Sequence, residues 1–280
     1  MLRTAGATIL YNPNEEVITN ILTYLDQIEL LYIVDNSETI GLIPNKLKDY
    51  SKIKFVDNFG NIGIAAALNK AANQAIEDNY DILLTMDQDS RVSENLVEEM
   101  IKQFERNDKI GILSPFVIHK NNPLRPPTQE LESITVAITS GCTIRLSMYK
   151  EIGGFDEKLF IDYVDIDYSL RMLSRGYKIF QLNNTSIYHK LGDIKKRKFL
   201  FKIFFPTNHP PVRIYYRTRN RFWVYKRYKE LFPEFIKQDK RNFLKELVKI
   251  LLFEKEKLNK YYMVLLGYRH CRKNRFGKFN

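Results

Sequence analysis

The stretch Leu84-Thr85-Met86-Asp87-Gln88-Asp89-Ser90 closes an apolar segment that begins at Ile82 and predicts a buried β-strand. Two carboxylates, one residue apart, follow that strand. In open α/β sheets, ligands bind at the carboxyl ends of parallel strands. Mg²⁺ and Mn²⁺ prefer oxygen ligands, and one or two carboxylates commonly hold them together with substrate phosphates. The stretch therefore predicts a divalent-metal and nucleotide-diphosphate site with Asp87 and Asp89 as metal ligands, and the alternative is a turn that caps the next helix near Glu94.

The composition describes a globular protein. The chain has 280 residues, of which 44% are hydrophobic and 13% aromatic, so it can bury a large core. Its two cysteines, Cys142 and Cys271, lie far apart, which argues against a disulfide framework and for a reducing cytoplasm. No secretory signal pattern is present at the N-terminus, and no apolar run approaches the roughly 20 residues of a membrane span. We therefore expect a cytoplasmic protein that is soluble or lies on the inner face of the cell membrane.

The charge is distributed unevenly along the chain. Residues 1–194 hold 19 basic and 27 acidic residues, for a net charge of −8, whereas residues 195–280 hold 25 and 6, for a net charge of +19. This asymmetry indicates an anionic partner for the C-terminal part, either an anionic lipid surface or nucleic acid. A solvated helical surface with surplus lysines is the plainer alternative.

The first part of the chain alternates short apolar strands with helical patterns, which predicts an α/β fold with a mostly parallel sheet. We place a domain boundary near residue 194. The predicted strands are Ala7 to Tyr11, Leu30 to Asp35, Lys52 to Asp57, Ile82 to Met86, Gly111 to Phe116 and Ser133 to Arg145. The predicted helices are Glu15 to Gln27, Ile64 to Glu77, Ser93 to Phe104 and Asp165 to Arg175, and a proline-rich loop is expected over Asn121 to Gln129.

Residues 195–280 form a basic, aromatic-rich extension with three predicted helices, Arg213 to Tyr228, Lys237 to Lys255 and Lys257 to Arg272. The extension begins with cations beside apolar side chains, a composition suited to the headgroup boundary of a membrane. Packing of those aromatics onto the main domain is the alternative. The residues predicted to contact the membrane are Lys195, Lys196, Arg197, Lys198, Phe199, Phe201, Phe204 and Phe205.

Other polar residues follow the predicted strands and suit a nucleotide. Tyr11 at the end of the first strand could stack on a base. Asp35 at the end of the second could accept the N3–H of a pyrimidine. The segment from Asn61 to Asn69, with Gly63, begins a helix whose small residues allow a ligand to approach and whose N-terminus favours phosphate.

The most acidic cluster holds Asp162, Asp165 and Asp167 just before a helix. Crowded carboxylates raise one another's pKa, which suits a general base. Capping of the helix N-terminus by the same residues is the alternative. Further along, His189 follows a predicted strand and could complete a metal site, although a lone histidine is more often structural.

The order of these motifs resembles that of the family 2 inverting glycosyltransferases of the GT-A fold. Asp35, the Asn61 helix start, Asp87-Gln88-Asp89, Ser140-Gly141-Cys142, the acidic cluster and His189 follow one another over about residues 5–192. Within that family, the segments Asn61 to Ala65, Met86 to Ser90 and Phe160 to Asp165 look like the bacterial rhamnosyltransferase branch.

The resemblance implies roles at the matching positions. Asp165 would be the catalytic base; because Val164 stands where the family has a glutamate, Asp162 is the substitute candidate, and Asp167 a supporting carboxylate. Asp87, Asp89 and His189 would hold Mg²⁺ or Mn²⁺. The nucleotide sugar would contact Tyr11, Asn12, Asp35, Asn61, Gly63, Asn69 and Asp87, and the acceptor side would include Gly141, Cys142 and Arg171.

The implied reaction is the transfer of a sugar, with dTDP-rhamnose favoured as donor, onto a hydroxyl of a lipid-diphosphate-linked glycan in bacterial surface polysaccharide synthesis. The expected partners are that donor, that glycan and an anionic membrane surface rather than nucleic acid; self-association through the C-terminal helices is left open. The alternatives are a UDP-hexose transferase, a nucleotidyltransferase, a non-catalytic binding subunit and a nucleic-acid-binding protein that uses the basic region.

Overall fold

A computed structural model describes residues 2–39, 41–119, 129–189, 197–199 and 202–279, with the backbone alone at residues 119, 189, 197–199 and 202–204. Its strands are β1 (Thr4–Leu10), β2 (Leu30–Asp35), β3 (Ile53–Phe55), β4 (Ile82–Asp87), β5 (Ser90–Val92), β6 (Ile110–His119), β7 (Leu131–Ser133), β8 (Cys142–Arg145), β9 (Lys178–His189), β10 (Arg197–Phe199) and β11 (Lys202–Phe204). Its helices are α1 (Glu16–Leu25), α2 (Leu42–Leu47), α3 (Ile64–Glu77), α4 (Leu96–Arg106), α5 (Leu146–Ile152), α6 (Val164–Ser174), α7 (Pro211–Tyr228), α8 (Pro233–Phe253) and α9 (Lys257–Arg272).

The chain divides into two compact units. The first comprises Met1–Glu157 and Val164–Lys190, and the second comprises Lys158–Tyr163 and Leu191–Asn280. The second unit contains the three basic helices of the C-terminal part. It also takes in the short segment 158–163, which the split at residue 194 assigns to the first domain.

The first unit is built on a sheet in the order β3-β2-β1-β4-β8-β6-β9-β5, with β7 also paired to β9. Strands β1 to β4 run parallel to one another. β8 is antiparallel to both of its neighbours, whereas β6 and β9 run parallel. The predicted α/β fold with a mostly parallel sheet and a helical C-terminal region is confirmed.

The parallel half forms around β1, β2 and β4, which are mostly apolar and buried, as parallel strands under helices are, whereas the edge strand β3 is partly exposed. Every residue of β1 is buried. The alanine-rich face of α3 is buried as well, and its small side chains let that helix lie close to the sheet. The same small residues bring the N-terminus of α3 to the carboxyl edge of the strands.

Several predicted elements differ in the structure. The expected strand from Ser133 to Arg145 is wrong, because only its two ends are strands, in β7 and β8. Between them the chain turns at Gly141, which has a φ of 76° and donates its N–H to the carbonyl of Thr85 at 2.8 Å. Helices α2 and α5 and strand β5 were not predicted. The strand that reaches His189 is 12 residues long rather than short.

Part of the predicted membrane segment lies outside the described residues, namely Lys195, Lys196 and Phe201, as does the expected loop up to residue 128. The backbones of β10 and β11, which include Arg197, Lys198, Phe199 and Phe204, pair as an antiparallel ribbon. Phe205 is about half exposed. Within the described residues, no helix combines the length and apolar character that a membrane crossing requires.

Candidate active site

The carboxyl ends of three parallel strands meet at one edge of the sheet. Leu10 of β1 is in register with Asp35 of β2, and Ile9 is in register with Asp87 of β4. Tyr11 follows directly, and its backbone is held from both sides by Gln88. The Tyr11 N–H donates to Gln88 Oε1 at 2.8 Å, and Gln88 Nε2 donates to the Tyr11 carbonyl at 3.1 Å. Gln88, the middle residue of the Asp-x-Asp motif, therefore fixes the backbone of Tyr11, which is expected to contact the nucleobase.

Asparagine side chains organise the loop between β3 and α3. Asn58 Nδ2 donates to the carbonyls of Asp35 and Gly60 and to Asn36 Oδ1, at 2.8 to 3.1 Å. Asn61 Oδ1 accepts from the N–H of Gly63 at 3.0 Å. Gly63 has a φ of 89°, a conformation that glycine adopts without strain, and it immediately precedes α3. This network holds the N-terminus of a 14-residue helix beside Asp35.

Asp35 has one oxygen that is satisfied and one that is not. Its Oδ1 accepts the N–H of Ser37 at 3.0 Å. Its Oδ2 is buried and has no hydrogen-bond partner. A buried carboxylate oxygen without a donor costs about 1–3 kcal/mol or more, so such atoms call for an explanation. Oδ2 is suited to accept an N–H from a ligand after a small movement of the atoms that cover it.

The two carboxylates after β4 differ in exposure. Asp87 is half-buried, and its N–H donates to Ser140 Oγ at 3.1 Å, whereas Asp89 is exposed. Ser90, the next residue, begins β5 and is paired in register with His189. The backbone of His189 therefore runs beside the Asp-x-Asp motif, while its side chain lies outside the described part. Among the residues whose side chains are described, no group of three or more histidine, cysteine or acidic side chains forms a ready metal cage.

Asp165 lies in the first turn of α6 and lines a cleft of the first unit. Its Oδ1 accepts the N–H of Ile166 at 2.9 Å. Burial, with a smaller contribution from the carboxylates of Asp165 and Asp87, raises the pKa of the Cys142 thiol to about 12. The cleft is lined by Thr85, Ile112, Ala137, Ile138, Thr139, Cys142, Ile144, Phe155, Asp165, Tyr168 and Ser169.

Asp167, by contrast, is fully buried. Its Oδ2 accepts from Arg171 Nε at 2.9 Å, one helical turn along α6. The rest of the Arg171 guanidinium donates to the carbonyls of Gly153, at 3.1 Å, and Gly154, at 2.6 Å. The Asp167–Arg171 pair therefore ties α6 to the turn after α5. Arg171, expected on the acceptor side, is engaged in this structural contact.

Asn69 is engaged with the same turn. Its Oδ1 accepts from Tyr149 Oη at 2.6 Å and from the Phe155 N–H at 2.8 Å. Its Nδ2 donates to the Phe155 carbonyl and to Glu157, at 2.9 and 2.8 Å. All the hydrogen-bonding capacity of this amide is used within the protein, so the geometry supports a role in holding residues 153–157 rather than direct donor contact.

Asp162 belongs to the second unit and pairs with Arg213 of α7 at 3.2 Å. It sits in a strained segment, since Phe160, Asp162 and Tyr163 all have φ values of 62 to 66°. Such left-handed residues other than glycine cost energy and persist only where their surroundings hold them.

Asn220 of α7 holds this segment. The side chain is fully buried, and its Nδ2 lies 2.8 to 2.9 Å from the carbonyls of Leu159, Ile161 and Asp162. The neighbouring Arg219 adds bonds to the carbonyls of Lys158 and Leu159, both at 3.1 Å. A lone asparagine in a basic helix gives no sequence signal, and neither Asn220 nor the roles of Gln88, Asn36, Asn58 and Ser140 were predicted.

Most of the predicted residues fall into three groups. Tyr11, Asn12, Asp35, Asn61, Gly63 and Asp87 share the carboxyl edge of the parallel strands or the start of α3. Asp165 and Cys142 line one cleft, with Gly141 adjacent in the chain. Asn69, Asp167 and Arg171 hold the turn at 153–157, and Asp162 lies in the second unit.

Comparison with solved structures identifies the fold as that of the GT-A glycosyltransferases. Staphylococcus aureus TarS 1–349 matches with a TM-score of 0.63 and 16% identity over 96% of this chain and 81% of its own. GalNAc-T7, crystallised with UDP, GalNAc and Mn²⁺, matches with a TM-score of 0.56 and 14% identity over 67% of this chain and 44% of its own.

The chain belongs to glycosyl transferase family 2, whose family model matches residues 8–169. Among curated proteins, the dTDP-rhamnosyl transferase RfbF of Shigella flexneri is 29% identical in an alignment 231 positions long that covers 76% of this chain and 77% of RfbF. The matched family region contains the strand edge, the Asp-x-Asp motif and the start of α6.

Proposed function

We propose that this family 2 glycosyltransferase transfers L-rhamnose from dTDP-rhamnose to an acceptor hydroxyl, with inversion at the anomeric carbon. The observation that carries the donor assignment is the similarity to RfbF over three-quarters of both chains. A similarity that covers this much of both chains supports a shared donor class rather than the fold alone.

The base of the nucleotide binds at Asp35 in this proposal. Its buried Oδ2 lacks a donor, and the N3–H of a thymine or uracil supplies one. Tyr11, about half exposed beside it, offers an aromatic face for the base. The start of α3 at Gly63 presents free backbone N–H groups, which favour the diphosphate.

Asp87 and Asp89 fit a divalent metal because their donor set consists of hard carboxylate oxygens at a strand end. Mg²⁺ and Mn²⁺ take one or two carboxylates and complete their shell with substrate phosphates and water, so two protein ligands suffice. His189, whose backbone pairs with Ser90, is the proposed third ligand. When bound, the metal supplies positive charge that stabilises the departing nucleoside diphosphate.

Asp165 is the proposed base. It is partly exposed, lines a cleft and lies in the first turn of α6. Its carboxylate takes the proton from the acceptor hydroxyl as the oxygen forms its bond to the anomeric carbon. The bond from that carbon to the diphosphate oxygen breaks on the opposite face through an oxocarbenium-like transition state, which inverts the configuration.

We propose a lipid-diphosphate-linked glycan as the acceptor and the inner face of the membrane as the place of reaction. The support is the net charge of +19 over residues 195–280, which attracts anionic lipid and diphosphate groups alike.

A donor panel tests the proposal. The purified protein is titrated calorimetrically with dTDP-rhamnose, dTDP-glucose, UDP-glucose and UDP-GlcNAc, each with Mg²⁺, with Mn²⁺ or with a chelator. We expect the tightest binding for dTDP-rhamnose with metal, and a gain of one deoxyhexose on glycoside acceptors by mass spectrometry. Tighter binding and turnover of a UDP-sugar would refute rhamnose as the donor, and pyrophosphate release from a nucleoside triphosphate would indicate a nucleotidyltransferase.

A pair of matched variants tests the proposed nucleobase site at Asp35. Asp35→Ala is expected to weaken dTDP binding about tenfold or more, since a charge-assisted hydrogen bond contributes about 1.5–3 kcal/mol. Asp57→Ala removes an exposed carboxylate beyond the neighbouring strand β3 and should leave binding unchanged. Equal effects of the two substitutions would contradict the assignment of Asp35.

A further inference from the structure

Helices α8 and α9 of the second unit expose large apolar side chains that no described part of the chain covers. Only Ile236 and Ile250 of the 21 residues of α8 are buried. The exposed set has relative exposures of 43 to 88% and comprises Leu244, Val248, Leu251, Leu258, Tyr262 and Leu265. Single exposed apolar residues are ordinary, whereas contiguous sets mark interaction surfaces.

The six residues form two stripes. At 100° per residue, Leu244, Val248 and Leu251 fall within an arc of about 60° on α8. The spacing of Leu258, Tyr262 and Leu265 on α9 is identical, so they occupy an arc of the same width. Each helix therefore presents one narrow apolar stripe to solvent.

The two stripes lie on the same side of the pair formed by α8 and α9. Residues 254–256 join the two helices, Tyr261 Oη donates to the Leu247 carbonyl at 2.8 Å, and Phe222 of α7 contacts both Phe243 and Tyr268. These contacts define an antiparallel hairpin. Leu247 and Tyr261 mark the side of each helix that contacts the other. Around its own helix axis, each of them lies about 60° from the apolar stripe, and the direction of rotation is the same on both helices. In an antiparallel pair, equal offsets turn both stripes to one face, which we call the hairpin face.

Three acidic side chains of the second unit turn inward. Asp239 and Glu246 pair with the buried Arg221 at 3.1 and 2.9 Å, and Glu254 pairs with the buried Lys260 at 2.9 Å. Glu230, Glu234 and Glu256 are exposed, but cations outnumber them at the surface around the stripes. The exposed cations within about 100° of a stripe centre are Lys237, Lys240, Arg241 and Lys245 on α8 and Arg269 and Arg272 on α9.

We propose that the hairpin face docks on an anionic lipid bilayer, with the leucines and Tyr262 at the headgroup–acyl boundary and the cations among the headgroups. An amphipathic pair with apolar lines flanked by Lys and Arg matches such an interface, and a tyrosine suits its depth. Charge complementarity selects the occupant. A second copy would set the same cations against each other, since an isologous interface brings like patches together.

Vesicle flotation tests the proposal. Full-length protein is mixed with phosphatidylcholine vesicles, with or without phosphatidylglycerol, at low and high salt. We expect binding only to the phosphatidylglycerol vesicles and weaker binding at high salt. The triple variant Leu244→Ser/Leu251→Ser/Leu258→Ser should weaken partitioning by about tenfold or more. Arg269→Glu/Arg272→Glu should weaken it about as much.

The matched control is Leu22→Ser/Leu42→Ser, which removes two exposed leucines of the first unit and should leave vesicle binding unchanged. Each variant is checked for unchanged dTDP-rhamnose affinity and unfolding temperature, so that a failure of the donor proposal is seen separately. Absence of binding to anionic vesicles by the wild type, or equal binding by the triple variant, overturns the proposal. A dimer in light scattering that the triple variant abolishes, without vesicle binding, assigns the face to self-association instead.

Discussion

Asp165 and Asp167 lie two positions apart in α6, but we expect different roles for them. Asp165 lines the cleft as the proposed catalytic base, whereas Asp167 forms a buried ion pair with Arg171, and substitutions can separate the two roles. Asp167 is fully buried, and in Asp167→Asn the Arg171 guanidinium keeps its bonds to the carbonyls of Gly153 and Gly154 but loses its counter-charge. Removing one partner of a buried pair costs about 3–5 kcal/mol, and the remaining carbonyl contacts place the loss at the lower end. For a chain of this size we expect the unfolding temperature to fall by roughly 5–10 °C.

Asp165→Asn is the companion variant. Asp165 is partly exposed, and asparagine preserves the shape of its side chain, so the unfolding temperature of this variant should change by no more than about 2 °C. Transfer should nevertheless fall by a factor of about 10² or more, because the general base is lost, while donor affinity is retained. Differential scanning fluorimetry, calorimetry and a transfer assay measure the three quantities. If Asp165→Asn transfers sugar normally, or if Asp167→Asn is as stable as the wild type, the reasoning about this cluster is refuted.

Three other variants or measurements follow from the structure. Asn220→Ala removes the side-chain donor from the carbonyls of Ile161 and Asp162 and should lower the free energy of unfolding by about 2–4 kcal/mol. Asn242→Ala on the exposed surface of α8 should not, and similar values for the two variants in urea unfolding would contradict the role of Asn220. Burial holds the pKa of Cys142 at about 12, so iodoacetamide at pH 8 should label it only after unfolding, and peptide mapping that finds rapid native labelling would refute this. Burial and the nearby Arg213 and Arg217 lower the pKa of His209 below 6.5. As the pH falls, the unfolded chain therefore takes up a proton at this histidine before the folded chain does, and the unfolding temperature should fall below about pH 6.5. His209→Gln should flatten that part of the pH profile of the unfolding temperature.

The parallel half of the sheet was predictable because its central strands β1, β2 and β4 are buried and read as mostly apolar runs. Leu30–Asp35 and the helix Ile64–Glu77 match their predicted bounds. The edge residues Tyr11, Asp35 and Asp87 were predictable for the same reason, since the ends of parallel strands meet whatever lies between them in the chain.

Sequence reasoning failed where pairing is antiparallel or contacts are distant. The strand β9 was underestimated because Asn183 and Asn184 interrupt its apolar pattern, yet Asn183 is held by the carbonyl of Gln129. The segment before β8 is rich in threonine and isoleucine and resembles a strand, but the Gly141 turn breaks it. Asn220 acts on residues about 60 positions earlier, and no local pattern reveals such a partner.

The hydrogen bonds from Asn220 to segment 158–163 also have a consequence for folding during synthesis. The three left-handed residues leave the ribosome 57 positions or more before Asn220, the side chain that holds them. At about 5–20 residues per second, this interval lasts a few seconds to about ten seconds. The segment just before the proposed base therefore remains without its support until most of α7 has been made. A nascent chain halted before α7 should be cleaved by protease near residue 160, and completion of that helix should end the sensitivity.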